Sequence, residues 1–185
     1  MKSVPYIFGG EAKVKIMRLF IFNPSLTLAP FEVARRVKER LSSVRKEIRI
    51  LAKAGLIKHR AKGFSLDSSY PYLAAIEDFL IDVTPMTEKE IIRKISRAGN
   101  IKLILTSGVF LHDKDSRVDM LVVGDRLKQA KLLSMMLSIE AELGKELRYA
   151  AFETTDFQYR LSIYDKLIRD ILDCRHEKIL NKLGI

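Results

Sequence analysis

Apolar positions follow two different rhythms along this chain. Up to about residue 98 they recur at helical spacing; from Asn100 they gather into short runs. The stretch "EAKVKIMRLFIF" carries Val14, Ile16, Met17, Leu19, Phe20 and Phe22. It predicts a largely buried helix, which Asn23-Pro24-Ser25 ends. "APFEVARRVKERL" predicts a second helix with Pro30 early and with Phe31, Val33, Ala34 and Val37 inward. In "LSSVRKEIRILAK" Val44, Ile48 and Leu51 share one face, with Ala52 beside them. Ser42, Ser43, Arg45, Lys46, Arg49 and Lys53 cover the rest. Ser42 or Ser43 is the expected N-cap, and Gly55 the expected stop. "LIKHR" and "FSLD" then predict two short strands around the turn Ala61-Lys62-Gly63.

Beyond Asp67, "YLAAIEDFLIDV" places Leu73, Ile76, Phe79, Leu80 and Val83 at helical spacing and has no basic face. It is a candidate for dimer contacts or for a link between domains. Thr84-Pro85 reads as a boundary, and Thr87 with Glu90 as a capping box opening "EKEIIRKISRAG". "IKLILTSG", "RVDMLVVGD" and "ELRYAAFE" predict strands, and "LKQAKLLSMMLSIEAELG" predicts a helix. "TTDFQYRLSIYDKLIRDILD" predicts one long helix capped by Thr154 or Thr155. The tail "HEKILNKLGI" fits a strand or a last helical turn. The expected fold class is therefore a two-domain α+β / α/β chain. Residues 1–70 form one domain, 71–99 linker helices, and 100–185 a small α/β domain of alternating strands and helices.

Charge sharpens this division. The 185 residues carry a formal net charge of +10. Residues 1–63 hold 15 Lys and Arg against 4 Asp and Glu, while residues 64–185 hold 18 against 19. An excess gathered in one third of a chain is a footprint for a polyanion. The ordinary alternative is a solvated cationic face. On the second helix, Arg35, Arg36 or Lys38 is placed for phosphate contact and not for base reading. A membrane surface fits the basic third less well, because its helices lack bulky aromatic anchors. No apolar run spans a bilayer, and "MKSVPYIFGGEAK" lacks the apolar core of a signal peptide. The single Cys174 excludes an internal disulfide framework and fits a reducing compartment, so a cytoplasmic protein is expected. His59, His112 and His176 lie far apart without metal-ligand spacing, and neither a metal nor a cofactor is expected. The Gly-rich "IFGGEAK" follows no strand. Gly9 and Gly10 there read as a joint between a short arm and the first helix.

The residues "FEVARRV", "SSVRKEIRILAKAGLI" and "KHRAKGF" resemble a winged helix-turn-helix of the ArsR-like regulators. That resemblance implies that the helix bearing Ser42, Ser43, Arg45, Lys46, Arg49 and Lys53 enters the major groove of DNA. His59, Arg60 and Lys62 would approach the flanking backbone or minor groove. The metal-sensing branch of that family uses cysteine pairs, which this chain lacks. From Asn100 to Asp173 the order of elements resembles the minimal nucleotidyltransferase fold. That family has a Gly-Ser turn after one strand, two acids one apart on the next, and a third acid on a later strand. Here Ser107-Gly108 stands at the turn, in reversed order, as the implied nucleotide-binding pair. Asp119 matches the second acid, Arg117 replaces the first, and "LRYAAFE" offers only Glu153 at its end. A two-metal site needs several clustered oxygen ligands. The implied domain is therefore a pseudo-enzyme, Asp119 being paired with Arg117 or a neighbouring base.

The two resemblances together imply a sequence-specific DNA-binding regulator that is not an enzyme and acts as a homodimer on double-stranded DNA. Its C-terminal domain would serve dimerisation, or sensing of a protein partner or a small nucleotide ligand. The alternatives are a nucleotidyltransferase using Asp119 and an antitoxin-like protein-interaction module.

Overall fold

The computed structural model describes residues 3–83, 85–111, 113 and 115–185. Thr84 of the expected boundary, and His112, lie outside them. The chain forms two compact units: Met1–Thr87 with Leu137–Lys145, and Glu88–Met136 with Glu146–Ile185. The fold is mixed α+β, with N-terminal helices and a hairpin followed by a four-stranded mixed sheet with helices. Among the described residues no helix is long and apolar enough to cross a membrane.

In the first unit a short α1 (Ser3–Ile7) precedes α2 (Glu11–Ile21). Every residue of α2 from Val14 to Ile21 is buried, Lys15 and Arg18 included. α3 (Pro30–Val37) begins on its proline, and Glu32 accepts the Ala29 N–H at 2.7 Å. Val33, Ala34 and Val37 face the core, but Phe31 does not: it is 63% exposed. At 3.6 residues per turn Phe31 lies about 110° round from the centre of that face. α4 (Leu41–Lys53) starts after the connection Lys38–Arg40. Its N-cap is Arg40, without a side-chain bond, so Ser42 and Ser43 do not cap it. Leu41 packs against the core, and this draws the helix start ahead of both serines.

Gly55, at φ 85°, follows α4 as expected. β1 (Ile57–Arg60) pairs antiparallel with β2 (Gly63–Leu66), and the pairing of Arg60 with Gly63 leaves Ala61-Lys62 as the turn. Leu28 forms an antiparallel bridge to Phe64, on the outer side of β2 near the turn. α5 (Leu73–Asp82) buries Leu80 and rests Phe79 against Phe8. Ile16, Phe20, Val33, Val44, Ile48 and Ile57 fill the core of this unit.

The second unit runs α6 (Glu88–Ile95), β3 (Asn100–Thr106), β4 (Met120–Asp125), α7 (Gln129–Leu143), β5 (Tyr149–Glu153), α8 (Thr154–Ser162), α9 (Lys166–Asp173) and β6 (Glu177–Asn181). The last turns of α7 belong to the first unit. Strand order is β5-β4-β3-β6. β3 is antiparallel to β4 and to β6, and β4 is parallel to β5. The C-terminal tail is thus a strand. The predicted long helix is two helices. Tyr164 turns into the left-handed region at φ 55°, and Asp165 opens α9 by accepting the N–H groups of Leu167 and Ile168. Neither threonine caps α8. Glu153 is its N-cap, and the Thr154 hydroxyl is buried without a hydrogen-bond partner.

Candidate nucleic-acid interface

The helical period of α4 divides its residues cleanly. Val44, Ile48 and Leu51 are buried, with Glu47 beside them, its carboxylate 3.3 Å from Lys13 Nζ. Ser42, Arg45, Lys46, Arg49 and Lys53 fall within a stripe about 100° wide on the opposite side. All five are exposed, as is Ser43. Among the described residues no carboxylate pairs with Arg45, Lys46, Arg49 or Lys53. A row of unpaired guanidinium and ammonium groups on a helix suits phosphate oxygens and base edges.

The hairpin continues the cationic surface. His59, Arg60 and Lys62 are exposed around its turn. The His59 ring meets Phe64 edge-on at 5.1 Å, and Arg60 Nε donates to Ser65 Oγ at 3.3 Å. On α3, Arg35 is exposed and Arg36 half-buried.

The 15 cations counted in residues 1–63 do not all face outward. Lys58 bonds Asp67 at 2.8 Å. Hydrogen bonds from Lys58 and Ser69 hold the Asp67 carboxyl at about 2, below its ordinary value of 3.8. Lys13 pairs inward with Glu47. Lys15 Nζ lies 3.0 Å from Glu39 Oε1 and 3.1 Å from Glu142 Oε1. Burial works against the charge on Lys15, but Glu142 and Glu39 together raise its pKa above the lysine norm. Arg18 Nη2 donates to the Val83 carbonyl at 2.6 Å. Burial brings Arg18 down to about 10, against the opposing field of Glu142. The outward charge is therefore smaller than the count of residues implies, and it is centred on α4 and the hairpin turn.

In the second unit Ser107, Gly108 and Asp119 come together. Asp119, just ahead of β4, is 1% exposed. Its Oδ1 accepts the Val109 N–H at 3.0 Å, and its Oδ2 accepts the Arg148 N–H at 2.8 Å. The Arg148 guanidinium reaches both oxygens at 3.3 Å. Asp119 thus pairs with Arg148, while Arg117 pairs with Asp170 at 3.2 Å. Gly108 has φ 52°, and a Cβ there would collide with Asp119 Oδ1. Only glycine lets the turn wrap that carboxylate so closely.

Four N–H groups of the described turn are engaged. Val109 N–H binds Asp119, Phe110 N–H binds the Ser107 carbonyl, and the N–H groups of Leu111 and Asp113 both bind the Gly108 carbonyl. Ser107 Oγ donates to the Arg175 carbonyl at 2.6 Å. Glu153 is also engaged, accepting the N–H groups of Arg126 and Leu127 at 3.0 and 2.9 Å. Asp113 accepts the Asp115 N–H. Among the described residues no three His, Cys, Asp or Glu side chains gather into a metal-ligand set. The Asp119 carboxylate takes the Val109 N–H, a group that an anion at this turn would otherwise use.

Three residues central to this geometry carried no sequence signal. Arg148 meets Asp119 only through the fold, and Glu142 meets Lys15 in the same way. Glu39 lies nearer in sequence, 24 residues from Lys15, but no local period links the two. No family model matches the chain, and neither a curated protein nor a solved structure is significantly similar to it.

Proposed function

We propose that the protein is a sequence-specific DNA-binding transcription regulator. Its first unit works as a winged helix that lays α4 in the major groove and the β1–β2 turn along the flanking backbone. The observation that carries this reading is the stripe of Arg45, Lys46, Arg49 and Lys53. It stands opposite the buried face of α4 and has no pairing carboxylate among the described residues. Arg45 and Arg49 are the candidates for base edges, since a guanidinium bonds guanine with two parallel donors. Ser42 and Ser43, in the first turn, suit phosphate or base contact. Lys46, Lys53, Arg35, Arg36, Arg60, Lys62 and His59 suit phosphates.

The second unit, in this reading, is a nucleotidyltransferase-like body without catalysis. The support is the saturation of Asp119 by Arg148 and the Val109 N–H, together with the engaged N–H groups of Phe110, Leu111 and Asp113. A carboxylate so engaged has little left for a metal. The protein acts as a homodimer, two copies presenting α4 to two half-sites.

Selection of bound duplexes from a random DNA pool tests the reading. The expected product is a palindrome with half-sites about one helical turn apart. Recovery of no enriched sequence would reject sequence-specific binding.

A further inference from the structure

Two cations of α2 are kept from any duplex by burial, and one acid acts on both. Lys15 and Arg18 are buried, and Glu142 favours the charged form of each. One carboxylate neutralises one ammonium, yet Lys15 holds two, Glu39 and Glu142. Glu39 stands in the connection Lys38–Arg40, immediately ahead of α4, and the Arg40 carbonyl accepts the Val44 N–H at 3.0 Å to begin that helix. Glu142 lies in the last turn of α7, within the segment that belongs to the first unit.

Other contacts seat that turn on α2. Asn23 Nδ2 donates to the Gly144 carbonyl at 2.7 Å and to the Leu19 carbonyl at 2.8 Å. Lys145 Nζ stands 5.6 Å from the centroid of the Phe22 ring. Gly144 is left-handed at φ 75°, and a Cβ on it would sit 2.6 Å from the Arg18 backbone. The seat is directional, and its acid shares a cation with the connection that starts α4.

From this geometry we infer that Glu142 is a positioning residue for α4. Through Lys15 and Glu39, the seating of the last turn of α7 sets how α4 is presented to DNA. The functional meaning rests on the DNA-binding reading; the relay itself does not. Buried ion pairs add little net stability compared with apolar packing of the same volume, so control of position suits their chemistry better than strength.

The test uses the full chain and Glu142→Gln, which keeps the size and removes the charge. Duplex affinity, read by fluorescence anisotropy where both proteins are folded, should fall roughly fivefold. Glu39→Gln should lower it too. The two changes together should do less than their separate effects combined, because both act through Lys15. Hydrogen exchange at the Val44 amide should quicken in Glu142→Gln, with or without DNA. That second readout separates two failures. Unchanged Val44 exchange overturns the relay whatever the DNA result. Quickened exchange in a chain whose wild type binds no duplex supports the relay and sinks the DNA reading. Quickened exchange with unchanged affinity in a DNA-binding wild type overturns the link from the relay to DNA. If Glu142→Gln does not fold, Glu142→Asp takes its place. It keeps the charge and shortens the arm, and the same directions are expected.

Discussion

Asp119 shows how much the surroundings of a carboxylate decide. From its neighbours in sequence, an acid next to a strand and behind a Ser-Gly turn has the makings of a metal ligand. In the folded chain it takes the backbone N–H groups of Val109 and Arg148 and the Arg148 guanidinium. Such a group holds structure together. Asp119→Asn sets an amide NH2 against donors and removes the charge facing Arg148. It should therefore destabilise the protein by roughly 3 kcal/mol. Urea unfolding measures this, and a midpoint equal to that of the wild type would mean that the carboxylate is structurally idle. The pairing with Arg148 was not legible beforehand, because 29 residues separate the two and no local period links them. Arg117, two positions away, is the nearer base in sequence, but its side chain turns to Asp170.

Elements were legible where period and punctuation agreed. The faces of α4 follow from the spacing of Val44, Ile48 and Leu51, and the hairpin from two short runs around Ala61-Lys62. The stretch 154–173 failed because its apolar spacing continues through a break. Ile163 and Leu167 fit a helical period, yet both are exposed, and the chain turns between them at Tyr164. The break is held by Asp165, which caps α9 and also meets Arg160. Asp165→Ala should cost about 1 to 2 kcal/mol by freeing the Leu167 and Ile168 N–H groups. A urea unfolding midpoint unmoved by the substitution would show that the two helices are set by packing alone. Sheet direction was beyond the pattern too. Alternating strands and helices suggest parallel pairing, whereas β3 runs antiparallel to both of its neighbours.

For the whole molecule, counting charge along the chain found the cationic third but not its inner wiring. Lys13, Lys15 and Arg18 belong to the same count as Arg45 and Arg49, yet they face carboxylates or a carbonyl inside the first unit. Glu142 could not enter a local count, since it comes from the far end of α7. What remains outward lies on α4 and the hairpin turn, and at Arg35, Lys38 and Arg40. The most direct measurement is duplex binding across a salt series, for the wild type and for the Lys46→Ala/Lys53→Ala variant. Neutralised phosphates release counterions, so the logarithm of wild-type affinity should fall steeply with the logarithm of salt. The variant's slope should be shallower by about 2, with its circular dichroism unchanged. Equal slopes and equal affinities for the two proteins would contradict the assignment of α4 to DNA.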